Sequence, residues 1–284
     1  MRILVLGGTG MLGHVVLRYL AAQPQAEVSA TVRTAHLANV LPDAIRERLH
    51  VGVDANDIDA LTRTIAEVRP DVVINCIGIV KQVSAATDPV VALSVNSLLP
   101  HRLQRLCAVA GARLVQVSTD CVFAGTRGLY TEADVADATD LYGRSKLLGE
   151  VDAPNAITLR TSIIGPEIGS RNGLLGWFLG TEGTVRGFTQ AIFSGLTTCE
   201  LARVIWERVL PATALRGVHH VASAPITKHD LLLLLREAYG HRVDIVPDDV
   251  LRIDRSLDGN AFARATGYVA PTWSRLVTEM RDFG

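Results

Sequence analysis

Apolar residues arrive along the first half of this chain in short unbroken runs, separated by longer stretches in which they recur every three or four positions. The short runs predict strands of a parallel sheet covered on both faces, and the longer stretches predict amphipathic helices between them. Residues 2–7, Arg-Ile-Leu-Val-Leu-Gly, form the first run, and a helix begins around His14. Further strands are expected at 27–32, 50–53, 71–76, 112–117 and 156–161. Between them lie a helical stretch over 37–49, a helix starting near Ile58, and a long helix opened by Asp88 and Pro89 and closed by Gly111, which Pro100 should kink or split. Such alternation predicts an α/β fold with a doubly wound parallel sheet. After Thr161 it loosens. Helices over 174–180 and 198–209, strands near 184–187 and 217–221, a leucine-rich helix from Lys228 and a last helix from Thr272 predict a smaller mixed α/β lobe with returns to the main sheet.

Composition then narrows the partners. The chain has 284 residues, 48% of them hydrophobic, which suffices for one large domain carrying a smaller lobe. A net charge of −1 and no basic run argue against nucleic acid and against an anionic membrane surface. The most apolar run, Leu231 to Leu235, is far shorter than the ~20 residues a spanning helix needs. The chain opens as a strand without signal-peptide features, and Cys76, Cys107, Cys121 and Cys199 are widely spaced, so a cytoplasmic protein with reduced thiols is expected. The eight histidines show no ligand spacing, and no metal site is expected. A small molecule is the expected partner.

Candidate chemistry sits at the ends of the predicted strands. Gly7, Gly10 and Gly13, in Gly-Gly-Thr-Gly-Met-Leu-Gly, join the first strand to the first helix. Glycines there permit a tight turn and close backbone approach, and the helix start, with Met11 and Leu12, offers free N–H groups to a pyrophosphate. A Rossmann-type dinucleotide domain follows from that placement. Arg33, after the second strand, suits a ribose 2′-phosphate and so NADP rather than NAD, with NADH still possible. Asp54 either accepts from an adenine amino group or caps the helix near Ile58. Asn75, Cys76, Ile77 and Gly78 lie where the chain passes close to such a cofactor. Ser118-Thr119-Asp120 ends the fifth strand, at the sheet edge where ligands bind; Thr119 can donate to a carbonyl oxygen, while Asp120 either orients a substrate hydroxyl or caps the next turn. Tyr142 and Lys146, four apart on one helix, place an ammonium beside a phenol, which should favour the phenolate and bring the group toward neutral pH.

In this order the motifs resemble the extended short-chain dehydrogenase/reductase superfamily, and within it the dTDP-4-dehydrorhamnose reductase family of sugar-nucleotide reductases. The supporting stretches are RPDVVINC (69–76), STDCVFAGTRGLYTE (118–132), LYGRSKLLGE (141–150), LRTSIIG (159–165), FSGLTTCELA (193–202) and GVHHVASAPITKHDL (217–231). The resemblance implies an NADP-binding domain over 1–162, with 196–210 returning to it, and a substrate-binding lobe over 163–284. It implies hydride transfer from NADPH to the C4 ketone of a nucleotide-linked 4-keto-6-deoxysugar. Tyr142 would supply the proton, Lys146 would hold the nicotinamide ribose, and Thr119 would bond the carbonyl. Arg160, Thr161 and Ser162 would approach the sugar nucleotide, although a strand-end arginine can instead pair with a carboxylate.

Three departures fall at substrate positions. Cys121 stands where the rhamnose enzymes commonly have tyrosine, Ile163 where they have tryptophan, and Val83 and Ser84 where an Asp-Lys pair is usual, with Lys81 and Gln82 able to take over polar contacts. They keep a UDP-linked N-acetylated 4-ketosugar open as the substrate. An epimerase with tightly held NAD, and a non-catalytic NADP-binding partner like the regulatory subunit of methionine adenosyltransferase, are the other readings. Some relatives bind magnesium at a dimer contact, which no residue here reveals. A monomer or homodimer is expected.

Overall fold

The computed structural model of the protein describes residues 1–80 and 87–284. Its strands are β1 (Arg2–Leu6), β2 (Glu27–Val32), β3 (Leu49–Val51), β4 (Val72–Asn75), β5 (Arg113–Thr119), β6 (Ala156–Thr161), β7 (Ile163–Ile164), β8 (Thr184–Phe188), β9 (Ala191–Phe193), β10 (Leu196–Thr197), β11 (Gly217–His220), β12 (Ile226–Thr227), β13 (Asp244–Asp248) and β14 (Ile253–Asp254). The helices are α1 (Met11–Ala21), α2 (Asp43–Arg46), α3 (Ile58–Val68), α4 (Pro89–Ala92), α5 (Leu99–Ala110), α6 (Leu141–Leu148), α7 (Leu174–Leu179), α8 (Thr198–Val204), α9 (Lys228–Tyr239), α10 (Asn260–Thr266) and α11 (Trp273–Phe283).

Seven strands make one sheet in the order β11-β6-β5-β4-β1-β2-β3, and every pairing in it is parallel. The order turns back between β1 and β4, which opens a crevice at the carboxyl ends of these strands. Strand β11 completes the sheet beside β6, so Gly217–His220 is part of the main sheet and not of the smaller lobe to which 163–284 was assigned. The lobe is built on short pairs and a triplet, β13-β8, β10-β7 and β12-β9-β14. Strands this short have no sequence period, and β7, β9, β10, β12, β13 and β14 have no counterpart among the expected elements.

One core joins the lobe to one face of the sheet. Ile3, Val5, Leu17 and Ile74 share a cluster with Phe178, Leu201, Leu231, Phe262 and Met280. Helix α8 lies against α1. The opposite face is closed by a second cluster with Leu4, Leu61, Leu99 and Leu103. The long helix expected over 88–110 is interrupted by a wider turn at Leu93–Leu98, and α5 restarts with Pro100 in its first turn. Pro100 has no N–H to offer the carbonyl of Asn96, so the regular ladder cannot run through. No helix among the described residues is long and apolar enough to cross a membrane.

Candidate active site

A cavity of about 580 Å³ opens at the crevice between β1 and β4. Its floor begins at the glycine loop. Gly7 has φ +83°, and a Cβ on Gly13 would stand 2.0 Å from the Gly7 carbonyl oxygen, so the loop folds tightly enough only with glycine at both positions. Helix α1 follows with no side-chain cap, and Gly10, Met11 and Leu12 line the cavity at its positive end, the Gly10 N–H itself donating to the Gly7 carbonyl at 3.0 Å. The cradle suits a dinucleotide pyrophosphate. Asn75 to Val80 form the next wall; Asn75 is buried and fixed by Gln116, and its own Oδ1 accepts from the Ile77 N–H.

Thr119, Asp120, Cys121, Tyr142, Lys146, Thr161 and Ser162 line the same cavity. Their relative positions follow from how α6 is held. Asp140 caps its start, accepting from the Gly143 N–H at 2.7 Å. A Cβ on Gly143 would lie 2.2 Å from the carbonyl oxygen of Cys121, and one on Gly149 would lie 1.8 Å from that of Asn96. These glycines let α6 press against the Thr119–Cys121 turn at one end and the interrupted helix at the other. Asn96 completes the clamp: it exchanges hydrogen bonds with the Ile79 backbone at 2.9 and 3.1 Å and donates to Ser145 at 3.1 Å. Its sequence signal is a polar residue on an otherwise apolar helix face, four positions before a proline.

The electrostatics differ from the expectation of a phenol made acidic by its lysine. Burial pushes the Tyr142 phenol above its ordinary 10.0, Cys121 and Asp120 add to the rise, and a hydrogen bond with Thr119 works against it. Tyr142 is a protonated donor at neutral pH. Burial lowers the Lys146 ammonium to about 8, although Glu150 favours its charge. Its Nζ donates to the Val117 carbonyl at 2.7 Å because a buried ammonium requires an acceptor, and β5 supplies one within reach. Burial raises Asp120 above the usual carboxylate range and pushes the Cys76 and Cys121 thiols up to about 12, so neither thiol is a nucleophile at neutral pH.

Several expected site residues lie elsewhere. Arg160 is not on the cavity wall: its guanidinium makes a bidentate pair with Glu150 at 2.7 and 2.6 Å, with both side chains under 9% exposed. A guanidinium at the buried end of β6 must be paired, and Glu150 is the carboxylate within reach. Arg33 is exposed directly after β2. Asp54 closes a local turn by accepting from Asn56 at 2.8 Å, whereas the cap of α3 is Asp57, which accepts from Ala60. Lys81, with Gln82, Val83 and Ser84, lies outside the described residues. Lys228 and Arg255, which sequence reasoning did not single out, line the cavity from the lobe side, where both act electrostatically on the Asp120 carboxyl. No group of acidic, histidine or cysteine side chains that could hold a metal is present among the described residues.

A family model described as the RmlD substrate binding domain matches residues 1–183. The chain belongs to this family. It is similar to a probable low-salt glycan biosynthesis reductase of Haloferax volcanii, 30% identical over 87% of this chain and 83% of that one. It is also similar to a dTDP-4-dehydrorhamnose reductase of Mycolicibacterium smegmatis, 32% identical over 57% of this chain but only 45% of that protein. The fold is that of the Bacillus anthracis dTDP-4-dehydrorhamnose reductase in complex with NADP, with a TM-score of 0.80 and 20% identity over 99% of this chain and 98% of that one. Membership makes the RmlD-family chain an oxidoreductase of the sugar-nucleotide reductase type, on a Rossmann-type sheet.

Proposed function

We propose that the chain reduces the C4 ketone of a nucleotide-linked 4-keto-6-deoxysugar with NADPH, in deoxysugar and surface-polysaccharide biosynthesis. The observation that carries this reading is that Thr119, Tyr142 and Lys146 face one cavity that begins at the glycine loop. Gly10, Met11 and Leu12 would hold the pyrophosphate, Ile77 and Gly78 the middle of the dinucleotide, and Lys146 the nicotinamide ribose. When bound, the reduced nicotinamide supplies the hydride. Tyr142 gives its proton to the ketone oxygen, and Thr119 fixes that oxygen by a hydrogen bond. A positioned general acid contributes about 10²–10⁴-fold to such a step. Lys228 and Arg255 supply cations for the substrate diphosphate. Arg33 favours the 2′-phosphate of NADPH. Four free thiols suit a reducing cytoplasmic compartment.

A screen of dTDP- and UDP-linked 4-ketosugars, N-acetylated or not, for NADPH oxidation tests the reading, and the product configuration at C4 identifies the reaction. No turnover with any ketosugar, together with stable binding to another enzyme, would sink it in favour of a regulatory subunit. Purified protein carrying stoichiometric NAD would point to an epimerase. Arg33→Asp should raise the KM for NADPH much more than that for NADH; equal changes would remove the cofactor preference.

A further inference from the structure

Glu150 follows the C-terminal cap of α6, Gly149, and its side chain is 7% exposed. Its carboxylate accepts three hydrogen bonds from two side chains. Arg160 donates through Nε at 2.7 Å and Nη2 at 2.6 Å, and the Ser118 hydroxyl donates at 2.7 Å. Ser118 and Arg160 are cross-strand partners at the ends of β5 and β6, and each directly precedes a residue of the cavity wall, Thr119 and Thr161. Arg160 continues the chain of bonds: its Nη1 is 3.2 Å from Nε2 of His220 on β11, whose Nδ1 lies 2.9 Å from the Tyr130 carbonyl. A carbonyl only accepts, so Nδ1 carries the proton, Nε2 accepts from Arg160, and His220 is neutral. Arg160 and Lys146 are two buried cations: Glu150 pairs directly with Arg160 and acts on Lys146 electrostatically, without a direct ion pair.

Among the described residues, Glu150 is the carboxylate that favours the Lys146 charge. From β5 the ammonium meets the Val117 carbonyl, and from the segment after β4 it meets Cys76, a thiol that burial keeps neutral. Tyr142, on its own helix, is protonated, and Gly78 presents backbone. Glu150 stands four residues after Lys146, just past the C-terminal cap of α6.

We propose that Glu150 is a positioning residue for the ketone reduction: through Ser118 and Arg160 it ties the strand ends carrying Thr119 and Thr161 to the helix carrying Tyr142 and Lys146, and it supplies the counter-charge of the buried Lys146 ammonium. Its kinetic consequence rests on the reductase reading; its effect on the Lys146 charge does not.

The chain has three lysines, Lys81, Lys146 and Lys228, so protein labelled at the lysine ε-carbon gives three NMR titrations, assignable with single Lys→Arg variants. In the unmodified free protein Lys146 should titrate near 8. In Glu150→Gln it should titrate lower by roughly one pH unit, and the alkaline limb of the kcat/KM profile should move down with it, a loss of about fivefold at pH 8. Glu150→Asp, which keeps the charge but shortens the reach, should restore most of the titration. If Glu150→Gln does not fold, the same reading is taken on Glu150→Gln with Arg160→Met, which removes the orphaned cation. An unmoved Lys146 titration in a folded variant overturns the assignment, whether or not any ketosugar is turned over. A moved titration in a protein that reduces no ketosugar supports the charge assignment and counts against the reductase reading.

Discussion

Burial holds the Tyr142 phenol above its ordinary 10.0, so the group is ready to give a proton and unready to take one. Tyr142→Phe should therefore lower kcat about 10²–10⁴-fold, with the Kd for NADPH unchanged, as read by fluorescence titration of the cofactor. Full activity in the variant would remove the assignment. Two buried histidines carry a second residue-scale consequence. Burial lowers both His14 and His220 below 6.5, with Arg18 and Arg160 respectively acting the same way. As pH falls through 6.5 the unfolded chain binds protons that the folded chain refuses, so unfolding becomes easier with acid until the depressed folded values are reached. Asp120 and Glu200, whose carboxyls burial raises, act with the opposite sign in the range where carboxylates titrate. Urea unfolding measured downward from pH 6.5 should show falling stability, and His220→Gln, which can still accept from Arg160, should show a shallower slope. An identical slope in the variant would mean that His220 titrates as freely folded as unfolded.

Helix α6 is placed by what it lacks. Gly143 and Gly149 let it sit against the Cys121 and Asn96 carbonyls, and every alternative side chain collides with backbone there. Gly143→Ala should displace the helix and cost more than the ordinary ~1 kcal/mol gain that alanine brings to a helix interior. A thermal shift together with a loss of kcat would confirm it; a stabilised, fully active variant would show that the contact can relax. The motif around Tyr142 and Lys146 was legible because four-residue spacing is intrinsic to a helix. The role of its glycines was not, since the atoms they admit come from residues 96 and 121, distant in sequence. The same limit applies to Arg160: a strand-end arginine reads equally as a ligand contact or a buried ion pair, and only the position of Glu150 decides.

The lobe and the sheet share one hydrophobic cluster, with Leu201 on α8 fully buried among residues of both. Leu201→Ala should destabilise the whole molecule by about 2–5 kcal/mol. Unfolding followed by tryptophan fluorescence, which Trp177, Trp206 and Trp273 report from the C-terminal half, should still coincide with unfolding followed by far-UV circular dichroism. Separate transitions would mean that the lobe folds on its own. By itself the sequence determined the alternation of strands and helices through β6, the glycine loop and the order of Thr119, Tyr142 and Lys146, because apolar period, glycine placement and spacing along a helix are local properties of the chain. Only the tertiary structure decided that β11 closes the main sheet, that short strands after Thr161 build the lobe, that Glu150 pairs with both Arg160 and Ser118, and that burial raises the Tyr142 phenol. Each of these depends on which distant residues are brought within a few ångströms, and that information is carried by packing, not by any stretch of sequence.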